Sequence, residues 1–152
     1  MEVNLPSHGK RLMAYLIDIV PITTVVFAFY YFFMGFDEVW HAYLNNYTGA
    51  QEQETFINWR NSMRVVELII WVIYGTAMDI SEWQGTLGKR LVGIKVVDME
   101  GNKLTLEQSL KRNTLKFFSV LILYLGVIWI FLDSNRQALH DKIANALMVL
   151  ED

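Results

Sequence analysis

Carboxylates inside apolar segments are the residues of this sequence best suited to chemistry. The first of them, Asp18, lies in an almost wholly apolar and aromatic stretch, Leu12 to Phe36, and Lys10 and Arg11 precede that stretch. An ionised aspartate in hydrocarbon costs at least about 2.5 to 3.5 kcal/mol on insertion scales, so it must face protein or water and have a partner. Asp18 therefore predicts either a buried charge pair or a carrier of a cation or proton.

Two further acids lie in a second apolar segment, which is centred on Val65 to Met78. Glu67 follows Arg64 by three residues, so the two side chains share a helix face near the outer end and are predicted to pair. Glu67 is also a candidate outer station for an ion. Asp79 lies near the inner end of the segment and is predicted to lie at about the same depth in the membrane as Asp18.

Charged residues between and after the apolar segments complete the candidate site. In one interpretation they form a buried network that fixes the spans to a cytoplasmic cap, because breaking a buried ion pair costs about 3 to 5 kcal/mol. In the other interpretation the carboxylates exchange protons and cations, since coupled carboxylates have raised pKa values. The candidate residues at the inner end are Arg11, Asp18, Asp79, Arg112, His140 and Asp141.

Other kinds of site are disfavoured by the sequence. Gly85, Gly88 and Lys89 suggest a phosphate-binding loop, but the spacing is wrong and Arg90 stands where a Ser or Thr would hold magnesium. A metal site at His140 is disfavoured because the other two histidines are predicted to lie far away or across the membrane. We therefore expect no enzyme activity, no cofactor and no bound metal.

The composition is typical of a membrane protein and predicts a single domain over residues 1–152. Hydrophobic residues make up 53% of the chain, and the charged residues are segregated between apolar blocks. Because the basic residues do not form a domain-wide surface, we expect no nucleic-acid partner. The first apolar stretch is too long for a signal-peptide core and ends in aromatic residues, so it is predicted to be a retained span.

The fold class predicted from the pattern is an all-α polytopic membrane protein with two full transmembrane helices. The first stretch would be about 37 Å long as a helix, enough to cross a hydrocarbon core of about 30 Å. The loop Asp37 to Arg64 is predicted to be extramembrane, with part of it an amphipathic helix. Branched apolar residues in Leu91 to Val97, followed by the turn Asp98 to Asn102, predict a small cytoplasmic β-hairpin with a strand restarting at Lys103.

The last part of the chain leaves alternatives open. Thr105 and Gln108 form a capping-box pattern, which predicts a helix starting there. The third apolar segment, Phe117 to Leu132, is short, so it is either one tilted span or a hairpin that returns to the same side. The apolar run Ala146 to Leu150 could add to the strand Leu91 to Val97 only if both lie on one side of the membrane.

The distribution of basic residues predicts the orientation. Seven of the thirteen Lys and Arg residues lie between Ser81 and Lys116. The positive-inside rule therefore places that segment and the N-terminus in the cytoplasm, and slightly favours a cytoplasmic C-terminus as well.

Three motifs give the chain a resemblance to the RDD family of small bacterial membrane proteins. They are RLMAYLID at residues 11–18, QGTLGKRLVGIKVVD at 84–98 with Gly101 after it, and RQALHD at 136–141. The resemblance covers nearly the whole chain except the loop 37–64. It implies that Arg11, Asp18 and Asp141 are the residues for which the family is named. Asn145-Ala146 stands where such proteins often have Gly-Thr.

The resemblance implies a membrane-embedded protein but no single function. Some members are described as sodium/proton antiporters, and others lie beside unrelated membrane machinery. We therefore expect an ion translocator of the monovalent cation/proton antiporter type in the bacterial inner membrane, with Na+ or H+ as its ligand. Three short spans make a thin pathway, so it would act as a homo-oligomer. The alternative is a non-catalytic membrane scaffold or accessory subunit of a larger membrane complex.

Overall fold

Helices make up most of the structure. The computed structural model describes residues 4–121, 133 and 137–151. Its elements in chain order are α1 (His8–Phe33), α2 (Phe36–Asn45), α3 (Ala50–Ile80), α4 (Leu87–Leu91), β1 (Ile94–Asp98), α5 (Leu106–Leu121), α6 (Leu139–Ile143) and β2 (Ala146–Leu150). The predicted helical class is confirmed.

Helix α1 is a candidate membrane span. Within the described ranges it is the one helix that is long and apolar enough to cross a membrane, judged by length and composition. Only 17% of its most apolar window is buried inside the chain. The outward-facing side chains of α1 are therefore mostly apolar, as the lipid-facing surface of a span must be.

The region predicted as a loop, Asp37 to Arg64, is mostly helical. Its first part forms α2, which confirms the predicted amphipathic helix, and its second part is the beginning of α3. The apolar segment Val65 to Met78 therefore forms the second half of a 31-residue helix that begins in polar sequence.

The sheet differs from the hairpin that the sequence predicts. Strand β1 pairs antiparallel with β2, with Val96 opposite Met148 at the centre, and these two strands make up the sheet of the described chain. The predicted addition of Ala146 to Leu150 to this strand is confirmed. The predicted hairpin partner at Lys103 is wrong, because residues 103–105 are not in a strand.

Local hydrogen bonds explain why the chain does not return as a hairpin. Asp98 accepts the backbone N–H groups of Glu100 and Asn102 at 2.9 and 2.8 Å, which closes a tight turn. Thr105 and Gln108 then form the predicted capping box, in which each side chain accepts the other residue's backbone N–H, at 3.2 and 2.9 Å. The residues after the turn are therefore used to start α5.

The turn before β2 accommodates the residue at which this chain departs from the family pattern. Asn145 has a φ of 50°, in the left-handed region that glycine adopts most readily. Asparagine is one of the few other residues that enter this region at low cost. The left-handed turn before β2 therefore forms without a glycine.

The chain divides into two compact units. One comprises Met1–Asp18 and Trp71–Asp152, and the other comprises Ile19–Ile70. The core of the first lies under the sheet, where Val96, Leu104 and Ala146 are buried. The core of the second is aromatic, with Phe36 almost fully buried.

The third apolar segment, predicted at Phe117 to Leu132, lies mostly outside the described residues. Its two alternatives, one span or a returning hairpin, are therefore not separated by local structure.

The strand register provides a direct test of the sheet. Lys95 lies opposite Val149, and opposed Cβ atoms in antiparallel strands are about 4.5 to 5.5 Å apart, close to disulfide geometry. Because the sequence has no cysteine, the pair Lys95→Cys and Val149→Cys should form one intramolecular disulfide, seen as faster migration on a non-reducing gel. The control pair Glu100→Cys and Val149→Cys should remain reduced, and cross-linking of the control pair alone would contradict the register.

Candidate functional site

Asp79 is the centre of a buried charge cluster. Its Oδ1 accepts a hydrogen bond from Lys89 Nζ at 2.7 Å, and its Oδ2 accepts one from Arg112 Nη1 at 2.7 Å. Asn113 donates a third, from Nδ2 to Oδ2 at 3.1 Å. The side chains of Asp79 and Arg112 are both 0% exposed. One carboxylate therefore joins the end of α3 to α4 and to the middle of α5.

Arg112 connects this carboxylate to a second one. Its Nε donates to Oδ1 of Asp141 at 2.7 Å. The other oxygen of Asp141, Oδ2, accepts the backbone N–H of Ala138 at 3.3 Å and so caps α6. His140 Nε2 lies 3.5 Å from Asp141 Oδ1. The cluster thus binds α6, and with it the turn that leads into β2, to the helices.

Polar side chains of α5 extend the cluster. Lys116 Nζ donates to Asn113 Oδ1 at 2.6 Å, and the Asn113 amide also donates to the carbonyl of Ser109 at 2.9 Å. The Ser109 hydroxyl donates to the carbonyl of Thr76 at 3.2 Å. These bonds join α5 to α3 beside the ion pairs.

Asp18 forms a separate polar centre on α1. Its Oδ2 accepts a hydrogen bond from the Thr86 hydroxyl at 2.5 Å. Its Oδ1 accepts hydrogen bonds from the Gly88 backbone N–H at 2.8 Å and the Tyr74 hydroxyl at 3.0 Å. Thr86 is the N-cap residue of α4 but makes no side-chain cap bond. The Gly88 N–H in the first turn of α4 is instead accepted by Asp18. Asp18 therefore binds the first turn of α4 from another helix.

The contact between α1 and α4 is very close at Gly88. A Cβ atom at this position would lie 2.9 Å from Cγ of Asp18 and would collide with the carbonyl oxygen of Ala14. Glycine lets the backbone of α4 approach the carboxylate closely enough for the Gly88 N–H to donate to it. This glycine is thus a requirement of the Asp18 site.

Burial and charge together determine the protonation states outside the apolar helices. Burial alone would raise the pKa of Asp141, but the Arg112 guanidinium holds this pKa below its ordinary value. Burial lowers the pKa of Lys89, while the neighbouring Asp79 carboxylate acts in the opposite direction. Burial also lowers the pKa of His140 to about 4. At neutral pH Asp141 is therefore ionised and His140 is neutral.

The structure separates the predicted site residues into distinct groups. Asp79, Arg112, His140 and Asp141 are brought together, whereas Asp18 makes no ion pair in the described part of the chain. Its hydrogen-bond partners among the described residues are neutral donors. The sequence leaves both a charge pair and an ion-carrying carboxylate open for Asp18. Arg11 is half-buried on α1, seven residues before Asp18.

Glu67 is the residue that the sequence predicts as an outer station for an ion. Glu67 belongs to the compact unit Ile19–Ile70 and is half-buried on α3. Arg64 is exposed and does not form the predicted ion pair with it. Within the described residues, no group of three or more acidic or histidine side chains converges to hold a metal ion.

Sequence reasoning missed several of the residues that form these two centres. The sequence places Lys89 in a disfavoured phosphate loop and in the motif at residues 84–98, but in neither centre, and Tyr74 and Asn113 belong to no motif. Thr86 could have been found from its N-cap position before Leu87. Asp79 and Lys89 are ten residues apart in the sequence. Helical spacing could not predict their contact, because the chain leaves α3 and turns at residues 81–86 between them.

Comparisons with known proteins point to one family. The model of the RDD family matches residues 5–145. The uncharacterized protein YxaI of Bacillus subtilis (strain 168) is 33% identical over 85 residues, which are 56% of this chain and 56% of that protein. The uncharacterized protein RP437 of Rickettsia prowazekii (strain Madrid E) is 35% identical over 65 residues, 42% of this chain and 35% of that protein. No solved structure matches. The matches thus cover only about half and a third of the lengths of these two relatives.

The close approach of α4 to α1 predicts a large effect for the smallest substitution. Gly88→Ala should lower the free energy of unfolding by about 1 to 3 kcal/mol, because the added Cβ overlaps backbone and carboxylate atoms. Thermal or chemical unfolding in detergent measures the change. Gly9→Ala is the control, since its Cβ would come no closer than 4.0 Å to Ser7 Oγ. Equal stabilities of the two variants would contradict the packing of Gly88.

The buried imidazole of His140 predicts that acid destabilises the fold. Its pKa is about 4 in the folded chain and 6.5 in the unfolded chain. Below pH 6.5 the unfolded chain therefore binds a proton that the folded chain does not bind until about pH 4. The stabilisation is full above pH 6.5 and falls as the pH falls toward 4.

Between pH 6.5 and 5 this residue should lower the free energy of unfolding by up to about 2 kcal/mol. Unfolding measured at both pH values in wild type and in His140→Asn tests this, and the variant should show the smaller change. His41→Asn, at an exposed histidine, serves as the control. An unchanged pH dependence in His140→Asn would count against the buried neutral imidazole.

Proposed function

Because the chain belongs to the RDD family, we propose that it acts without catalysis as a scaffold or accessory subunit of a larger complex in the bacterial inner membrane. The family and the apolar helix α1 make it a membrane protein. Both relatives described above come from bacteria.

We propose that α1 and the apolar half of α3 both cross the membrane, with the N-terminus in the cytoplasm. The excess of basic residues between Ser81 and Lys116 supports this orientation. Pairing of β1 with β2 supports the same side for the C-terminal residues. The backbone N–H of Leu150 also donates to the carbonyl of Asn4 at 2.9 Å. These contacts favour the returning hairpin for the third apolar segment, because the chain must come back to the side it left.

Charge compensation in the cluster is the observation that carries the scaffold proposal. Asp79 is bonded to two cationic side chains, and Asp141 is bonded to one of them, in a site almost closed to solvent. A carboxylate that exchanges ions must leave its partner during the cycle, but here each departure would leave a buried charge unpaired. That loss costs about 3 to 5 kcal/mol. The arrangement is suited to a rigid junction between helices and sheet.

Asp18 supports a second candidate function, translocation of a monovalent cation with counter-movement of a proton. Its three hydrogen-bond donors among the described residues are neutral, so protonating this carboxylate or binding a cation to it breaks no ion pair within that part of the chain. It also lies on the candidate span, where an ionisable residue is a functional candidate by default. A pathway through one chain this small would require a homo-oligomer.

Proton flux in proteoliposomes separates the two candidates. If the protein is a scaffold, we expect no proton movement when a sodium gradient is imposed on vesicles that contain the wild-type protein and a pH-sensitive dye. If Asp18 carries the translocated ion, we expect a flux that Asp18→Asn abolishes and that Glu100→Gln, in the exposed turn after β1, preserves.

Extraction from native membranes is the experiment in which the scaffold proposal predicts a positive result. A scaffold should elute in mild detergent with another membrane protein at fixed stoichiometry. Sodium-driven proton movement by the wild-type protein, lost in a correctly folded Asp18→Asn variant, would overturn the scaffold proposal.

A further inference from the structure

The outward side of the α4 region is apolar, although this part of the sequence is predicted to be a cytoplasmic cap. Trp83, Leu87 and Leu91 are exposed by 43%, 46% and 65%. The guanidinium carbon of Arg90 lies 4.5 Å from the centre of the Trp83 ring, in a cation–π contact. We call these four residues the outer face of α4. They combine an apolar surface with one cation.

The inward side of α4 fixes its depth. Gly88 and Thr86 both donate hydrogen bonds to Asp18 of α1. Asp18 lies six residues beyond Leu12, where the apolar stretch begins, which is about 9 Å along a helix. If α1 crosses the membrane, α4 must lie at the level of Asp18, inside the leaflet at the N-terminal end of α1.

The backbone around α4 has the hydrogen bonds that such a location demands. The N–H of Leu87 donates to the Tyr74 hydroxyl at 2.9 Å, and that of Gly88 donates to Asp18. In the turn before α4, the N–H of Gln84 donates to the Ser81 carbonyl and that of Gly85 donates to the Met78 carbonyl, both at 3.1 Å. Irregular backbone is tolerated at membrane depth only where its polar groups are satisfied inside the protein.

Lipid is the occupant that the surroundings of this face favour. The same compact unit includes the first turns of α1, where Leu12, Met13 and Leu16 are exposed by 58%, 53% and 42%. The outer face of α4 therefore adds to apolar surface that belongs to the beginning of the candidate span. Tryptophan is typical of the membrane interface, and an arginine there reaches toward lipid phosphates.

We propose that α4 is a re-entrant interfacial helix, with Leu87 and Leu91 in the acyl chains of the leaflet and Arg90 bound to the phosphate of an anionic phospholipid. This inference rests on the proposed crossing of the membrane by α1. A membrane location of α4 gives the QGTLGKR motif at residues 84–90 two roles. One side of the motif binds the acids of α1 and α3, and the other side holds lipid.

Nitroxide accessibility in vesicles tests the depth. The sequence has no cysteine, so Leu91→Cys gives a single labelled site in full-length protein reconstituted into phosphatidylcholine and phosphatidylglycerol. Its label should collide more often with oxygen, which concentrates in the bilayer, than with a water-soluble nickel chelate. Glu100→Cys, in the exposed turn after β1, is the aqueous control and should show the reverse.

A third label distinguishes this inference from the proposal on which it rests. Val25→Cys lies on α1, at a side chain exposed by 68%, and should be oxygen-accessible if α1 spans the membrane. A Val25 label in water would overturn both proposals. A Val25 label in lipid with a Leu91 label in water, or shielded from both reagents by protein, would overturn the re-entrant helix alone.

The headgroup contact has its own test. A bimane probe at Leu91→Cys should be quenched more strongly by brominated phosphatidylglycerol than by brominated phosphatidylcholine, with a preference of up to about fivefold from one basic side chain. Adding Arg90→Gln should remove the preference and leave the depth of the label unchanged. Adding Lys142→Gln, at a half-exposed lysine of α6, is the matched control and should preserve it. Equal quenching by the two lipids in the labelled protein that retains Arg90 would contradict the proposed binding of Arg90 to the lipid phosphate.

Discussion

The ion pairs of Arg112 are the interaction on which the first compact unit depends. A guanidinium that is completely removed from water loses far more hydration than one partner restores, so it requires two carboxylates. Asp79 comes from the end of α3 and Asp141 from α6, which directly precedes β2. The two ion pairs of this one side chain therefore fix two distant parts of the chain relative to α5. Lys89 balances the remaining charge of Asp79 and adds α4 to the same junction.

Asp18 follows a different principle from the rest of the charged residues. Hydroxyl and backbone donors surround its carboxylate, so α1 is joined to α4 without an ion pair. The two sides of α4 consequently have separate tasks. Gly88 and Lys89 face the acids of the longer helices, whereas Leu87 and Leu91 remain exposed. This division underlies both the scaffold proposal and the placement of α4 in the membrane.

Much of the fold and part of the site can be predicted from the sequence because the relevant signals are local. The length and apolar composition of α1 predict a span, and the Thr105 and Gln108 pattern predicts the start of α5. The hairpin prediction failed because strand propensity does not specify a partner. The turn residues after Asp98 were compatible with a hairpin. Strand β1 instead pairs along its whole length with the apolar run Ala146 to Leu150, which lies far along the chain.

The partners of the candidate site residues were even harder to predict from the sequence than the partner of strand β1. The sequence by itself determined which acids would need partners, since Asp18 and Asp79 lie in or beside apolar segments where an ionised group is costly. It could not determine which partners they would have, because those come from segments 10 to 70 residues away. Only the tertiary structure decided that Asp79 is bonded to two cationic side chains, whereas the described partners of Asp18 are neutral donors. The physical reason is that burial cost is a property of one residue, whereas its compensation depends on which helices pack together.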